Sequence, residues 1–124
     1  MFDAYLYFTG NCREAMAFYH EIFGGDLNVM DTPEGKVMHA RLSGGLIPLM
    51  ASDGTRTEPY GASMISLNLS SPDEAGMHAV FDALSNGGIV TSPFKKEFWG
   101  DTFGSLTDKF GIDWQISITQ QPAD

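Results

Sequence analysis

The chain has 124 residues, 43% of them hydrophobic and 19% charged, which suits one ordinary globular unit with a real core. Its formal net charge is −9 with 7 Lys plus Arg, so it lacks the clustered cations that displace counterions from a duplex or settle on an anionic membrane. Nucleic acid and membrane are therefore not expected partners. No apolar run reaches the roughly 18–20 residues of a membrane helix, and the acidic, strand-like start MFDAYLYFTG lacks the basic character of an export signal. The single Cys12 precludes an internal disulfide, so a reducing cytoplasm is the expected compartment.

The first expected element is a strand, DAYLYFT. Tyr5 and Tyr7 alternate with Leu6 and Phe8, and both faces are apolar enough to be buried, which leaves its orientation open. NCREAMAFYHEIFGG follows. Asn11 is a good N-cap, Glu14 stands at capping-box spacing, and Ala15, Phe18, Tyr19, Ile22 and Phe23 make one helical face before Gly24-Gly25 stops it. Three strand-like runs come next, LNVMD, KVMHARLS and LIPLMAS, separated by turns at Thr32-Pro33-Glu34-Gly35 and Gly44-Gly45. In the second of these, alternation puts Met38, Ala40 and Leu42 on the helix side and His39 and Arg41 on the other.

The pattern then repeats. SMISLNL reads as a strand with Ile65, Leu67 and Leu69 toward the helix and Ser66 and Asn68 away from it. SPDEAGMHAVFDALSNGG reads as a helix capped by Ser71, with Pro72 at its first position, Glu74 closing the box, and Met77, Val80, Phe81 and Leu84 as its apolar stripe. IVTSPF, TFGSLT and IDWQISI complete the set, the last two joined by a tight turn at Asp108-Lys109-Phe110-Gly111. The expected fold class is α+β: two tandem β-α-β-β-β modules, the first over residues 1–52, a polar linker over 53–61 and the second module over 62–119. One helix covers one face of each four-stranded set, so the other face must pack on a partner or line a cavity.

Two such modules resemble the vicinal oxygen chelate superfamily of glyoxalase I, extradiol dioxygenases and antibiotic-resistance proteins. The wording is closer still to its PhnB-like branch. The helix start GNCxEAxxFY is present from Gly10 to Tyr19, and the run FWGDxFGxxxDxFGxxW from Phe98 to Trp114. The resemblance implies a U-shaped, partly open mixed-sheet barrel around a cavity with the helices outside, and a homodimer. It also implies a divalent metal held by the first and last strands of each module, where His and Glu polarise adjacent substrate oxygens. The matching positions fall near Ala4, Met64 and Leu49 or Met50, none of which offers the usual donor; only Gln115 does. One neutral amide does not hold a hard cation, so the usual metal box is expected to be missing; a divalent ion remains an open alternative that would need carboxylates entering from loops.

Within that frame His39 is the candidate acid or base, against the plainer reading of a structural histidine. Arg41 suits a bidentate contact with an anionic ligand, or a surface ion pair. Ser66, Asn68 and Gln115 are candidate polar anchors, and Trp99 is a candidate pocket wall within the aromatic group Phe94, Phe98, Trp99 and Phe103. Asp53 reads as a cavity-mouth ligand or a turn residue. Cys12, in a first helical turn without an evident base, reads as an inert thiol before a nucleophile, and His20 and His78 as helix-surface residues. The expected function is small-molecule binding on a PhnB-like scaffold. The alternatives are a metal-dependent lyase, isomerase or dioxygenase, and the methyltransferase that often labels this branch. For the last, no strand–Gly-rich turn–helix unit offers a nucleotide-like cofactor a cradle.

Overall fold

In a computed structural model, which describes residues 3–53, 65–97 and 100–119, the chain forms two units, Met1–Pro59 and Tyr60–Asp124. The first holds β1 (Ala4–Phe8), α1 (Cys12–Phe23), β2 (Asp26–Asp31), β3 (Val37–Ser43) and β4 (Leu49–Asp53). The second holds β5 (Leu67–Ser71), α2 (Glu74–Ser85), β6 (Ile89–Lys96), β7 (Thr102–Thr107) and β8 (Asp113–Ile118). The sheets have matching orders, β1-β4-β3-β2 and β5-β8-β7-β6. In each, the first strand pairs with the last in parallel and the other pairings are antiparallel. The architecture is thus α+β, one helix on one face of a mixed sheet, made twice. Among the described residues no helix is long and apolar enough to cross a membrane.

Helical spacing decides what each helix buries. Cys12, Ala15, Met16, Tyr19 and Phe23 of α1 are buried, facing a sheet surface made by Leu6, Phe8, Val37, Ala40, Leu42, Leu49 and Ala51. In the second unit Met77, Val80, Phe81 and Leu84 of α2 meet Leu106, Trp114 and Ile116. Each large side chain so enclosed contributes roughly 1.5–3 kcal/mol relative to exposure. Phe94 stacks on Phe81 at 4.9 Å, which assigns it to this core. The orientation of β1 is settled too: Leu6 and Phe8 go under α1, and Tyr5 and Tyr7 stand on the opposite face.

The glycine pair that stops α1 does more than end a helix. Gly25, at φ +89°, lies so close to the Ser43 carbonyl that a Cβ would collide with it, and a Cβ on Gly45 would strike the Gly24 carbonyl. Backbone packs on backbone here, and Leu46 N–H donates to the Phe23 carbonyl at 3.0 Å across the same contact.

Local details depart from the expected pattern in four places. Met38 is 52% exposed while Val37 is 1% exposed. Asp31 pairs with Val37 and Met30 with His39, so Met38 is the extra residue of a bulge and leaves the helix-facing row. Ile65 is 73% exposed because it precedes the paired part of β5. Ser71 is not the cap of α2. It stays in β5, paired with Ile118, and its carbonyl accepts from Thr119 N–H at 3.1 Å. Asp73 is the N-cap, its carboxylate accepting from Gly76 N–H at 3.1 Å, and Glu74 begins the helix. Finally, Asn11 makes no side-chain cap bond, and β4 runs on through Asp53, which takes over that task.

Candidate functional site

Each sheet has a face its own helix does not cover. On the first, a transverse row crosses all four strands: Tyr5 opposite Met50, Met50 opposite Arg41, Arg41 opposite Asn28. Beside it stand Tyr7 opposite Ser52, and His39 opposite Met30. The Tyr5 and Tyr7 rings lie 4.9 Å apart, and Tyr5 and His39 6.0 Å apart, both tilted. Tyr7 and Met30 are more than half exposed. Buried Ala40, between His39 and Arg41, holds both side chains on this outer face. Arg41 is exposed and has no ion-pair partner among the described residues; the ion pair of this unit joins Arg13 to Asp31. His39 and Arg41 are therefore brought together, with two tyrosines that the sequence pattern left unassigned.

The open face of the second sheet carries amides and hydroxyls beside Phe103, Lys95 and Asp113, where the first carries tyrosines, His39 and Arg41. Asn68 stands opposite Gln115, and Gln115 opposite Ser105. The Ser105 hydroxyl lies 2.7 Å from that of Thr91. Gln115 is half-buried between buried Trp114 and Ile116, which point the other way. Phe103, opposite Ser117, also belongs to this face, since Gly104 next to it lies against Phe81. Asp113 accepts from the Thr107 hydroxyl at 2.6 Å. Ser66 is exposed one residue before β5, outside the paired row. Trp99, like Phe98 and Met64, lies outside the described residues.

Two carboxylates, Asp53 and Asp108, hold the backbone of their units in place. Asp53 Oδ1 accepts from Gly10 N–H and Cys12 N–H at 2.9 Å each, and its Oδ2 accepts from Val37 N–H at 3.0 Å. It caps α1 from 41 residues away and ties that helix to β3. It is neither a cavity-mouth ligand nor a local turn residue. Asp108 is 3% exposed; Oδ1 accepts from Phe110 and Ile112 N–H at 2.9 and 3.0 Å, and Oδ2 from Trp114 Nε1–H at 2.9 Å. The DxFGxxW run is thus a turn-building device.

Cys12 is fully buried, and burial first, then the Asp53 charge, pushes its thiol up to about 12. That suits an inert core thiol. His20 Nε2 lies 2.8 Å from the Gly25 carbonyl, clasping the end of α1, and His78 packs edge-on against Phe94 at 4.8 Å.

The superfamily's metal can be tested against these donors. The open face of the first sheet offers phenols, two thioethers, one imidazole, a guanidinium and the Asn28 amide; that of the second offers hydroxyls, the amides of Asn68 and Gln115 and the single Asp113 carboxylate. Among the described residues no three of His, Cys, Asp and Glu gather as a metal-binding group. This donor set does not fit a divalent cation that wants several carboxylates or imidazoles.

The family described as 3-demethylubiquinone-9 3-methyltransferase matches residues 2–117. The chain belongs to that family. It is 40% identical to protein PA1353 from Pseudomonas aeruginosa, with a TM-score of 0.82 over 94% of this chain and 95% of the other. Its likeness to the PhnB protein of Bacillus cereus is 26% identity and a TM-score of 0.78, covering 94% and 97% of the two chains. A glyoxalase/bleomycin resistance protein/dioxygenase family enzyme from Burkholderia phytofirmans shares the fold alone. It is 16% identical, with a TM-score of 0.64 over 92% of this chain and 95% of that one. The PhnB-like family and the vicinal-oxygen-chelate type of α+β fold are both established by these matches.

Proposed function

We propose that this PhnB-like chain is a small-molecule-binding protein whose ligand rests on the open face of the first sheet and is held without the superfamily's metal. The observation that carries the reading is the uncovered face of the first sheet, where Tyr5, Tyr7, His39 and Arg41 stand together on a rigid strand scaffold. Apolar and aromatic surface with a few fixed polar groups is the make-up of ligand sites generally. Asn68 and Gln115 supply amide donors and acceptors on the second sheet. His39 is the candidate acid or base among these, its imidazole having one nitrogen to donate and one to accept. Under the same proposal the protein works in the cytoplasm as a homodimer, as its superfamily commonly does.

The family's description carries a second reading, methyl transfer. Against it, the N-termini of both helices, where an anionic cofactor group is ordinarily held, are taken up by the chain's own Asp53 and Asp73. A thermal-shift screen of a small-molecule library tests the binding proposal. Compounds that raise the midpoint of the unaltered protein should lose that effect in His39→Ala and Arg41→Gln, whose own midpoints stay within about 2 °C of it. Unfolding of both variants, or full retention of the ligand effect in both, would make these side chains structural and sink the assignment.

A further inference from the structure

The make-up of the first sheet's open face selects among ligand classes. The chain carries 16 Asp plus Glu against 7 Lys plus Arg, so an outward arginine has carboxylates in plenty to pair with. Arg13 does so, with Asp31. Arg41 does not pair with any described residue, although it sits in mid-strand with Asn28 and Met50 as its cross-strand neighbours. A guanidinium with five donors and no acceptor capacity calls for an anion, and a planar carboxylate matches its fork. The other end of the same row is aromatic. Tyr5 and Tyr7 are exposed and lean together at 4.9 Å, an apolar surface of ring width with phenol hydroxyls at its rim. Met50 lies between the two ends, opposite both Tyr5 and Arg41, and offers a polarizable floor without charge.

Strands stand roughly 4.8 Å apart, so Tyr5 and Arg41, two strands from each other, are about 10 Å apart at the backbone, less the reach of the arginine side chain. A bare inorganic anion touches one end of that row only. A one- or two-ring aromatic acid spans it, its ring on Tyr5 and Met50 and its carboxylate on Arg41, with His39 flanking at 6.0 Å from Tyr5.

We propose that the ligand of this face is a small aromatic carboxylate laid along the row Tyr5–Met50–Arg41. The proposal rests on the binding reading above and adds the chemical class to it. Calorimetric titration of the full chain with 2-naphthoate, its neutral isostere 2-naphthamide and inorganic phosphate tests the class. The expected result is naphthoate at least tenfold tighter than either of the others. Arg41→Gln should remove that preference while leaving the amide within twofold, and Tyr5→Ala should weaken both ring compounds severalfold.

If the amide binds as well as the acid and both depend on Tyr5, the charge assignment is wrong while the binding face stands. If phosphate matches naphthoate, the aromatic part of the proposal is wrong. If no probe binds up to millimolar concentration, or binding ignores both Arg41→Gln and Tyr5→Ala, this face is not the site, and the proposed function loses its principal support.

Discussion

Replacing Asp53 should damage this fold more than any other single change to a surface-accessible carboxylate. Its two oxygens accept from three backbone donors, Gly10 and Cys12 N–H at 2.9 Å and Val37 N–H at 3.0 Å. Cys12 and Val37 are 0% and 1% exposed, whereas Gly10 is open to water. In Asp53→Ala, Gly10 N–H finds solvent, but the other two donors are stranded at about 1–3 kcal/mol each. The favourable charge at the start of α1 is lost as well, at about 0.3–1 kcal/mol. The sum, about 2–7 kcal/mol, is a large share of the 5–15 kcal/mol by which domains are usually stable.

Asp53→Asn separates the contributions. With its carbonyl oxygen at the Oδ1 position it still serves Gly10 and Cys12, but its amide then points donor against donor at Val37, so about 2–3 kcal/mol is expected. Urea unfolding followed by far-UV circular dichroism measures both, provided the m-value is unchanged. An Asp53→Ala variant within 1 kcal/mol of the parent, on the scale of ordinary surface substitutions, would show that the carboxylate does not hold α1 to β3 and would refute the reasoning.

Asp108→Ala should cost about 3–4 kcal/mol, because Trp114 Nε1–H and the turn donors Phe110 and Ile112 lose their acceptor inside the protein; the same urea titration checks it. Cys12 predicts an alkaline effect. Its folded-state value of about 12 lies above its ordinary 9.0, so the folded chain holds the thiol proton more tightly. The stability this confers is complete below pH 9 and is lost as pH climbs from about 9 toward 12. By pH 10 the parent should have lost roughly 1.4 kcal/mol relative to Cys12→Ala, read from unfolding curves at pH 8 and 10; parallel curves would contradict it. Gly104→Ala places a Cβ 2.7 Å from the Phe81 ring and 2.8 Å from Phe94 Cα. Overpacking of about 1–3 kcal/mol should follow, as a lower thermal midpoint.

What was legible in the sequence was what local pattern controls. The helical stripe Met77, Val80, Phe81 and Leu84 is the buried face of α2, and the doubled β-α-β-β-β order reappears as two sheets of matching connectivity. What local pattern does not control was not legible. Ser71 and Asp73 are both good caps in SPDE. Asp73 prevails because pairing with β8 keeps Ser71 in its strand. Met38 obeys the period of a regular strand, and a bulge set by the partner β2 turns it outward.

Asp53 owes its role to donors 16 to 43 residues away, which no short window contains. Of the candidate site, His39 and Arg41 were visible from alternation with Ala40 and Leu42, and Gln115 from its place between Trp114 and Ile116. Tyr5 and Tyr7 were missed because both sides of YLYF are apolar. The phenol hydroxyls were the available signal, since an amphipathic ring takes the outer face when Leu and Phe compete for the inner one.

The central claim is that this chain binds its ligand with sheet-face side chains and without the metal of its superfamily. Elemental analysis of the purified protein, before and after dialysis against zinc, manganese and nickel, tests it most directly. The account predicts that far less than one ion per chain remains after each dialysis; one tightly held ion per chain would contradict it.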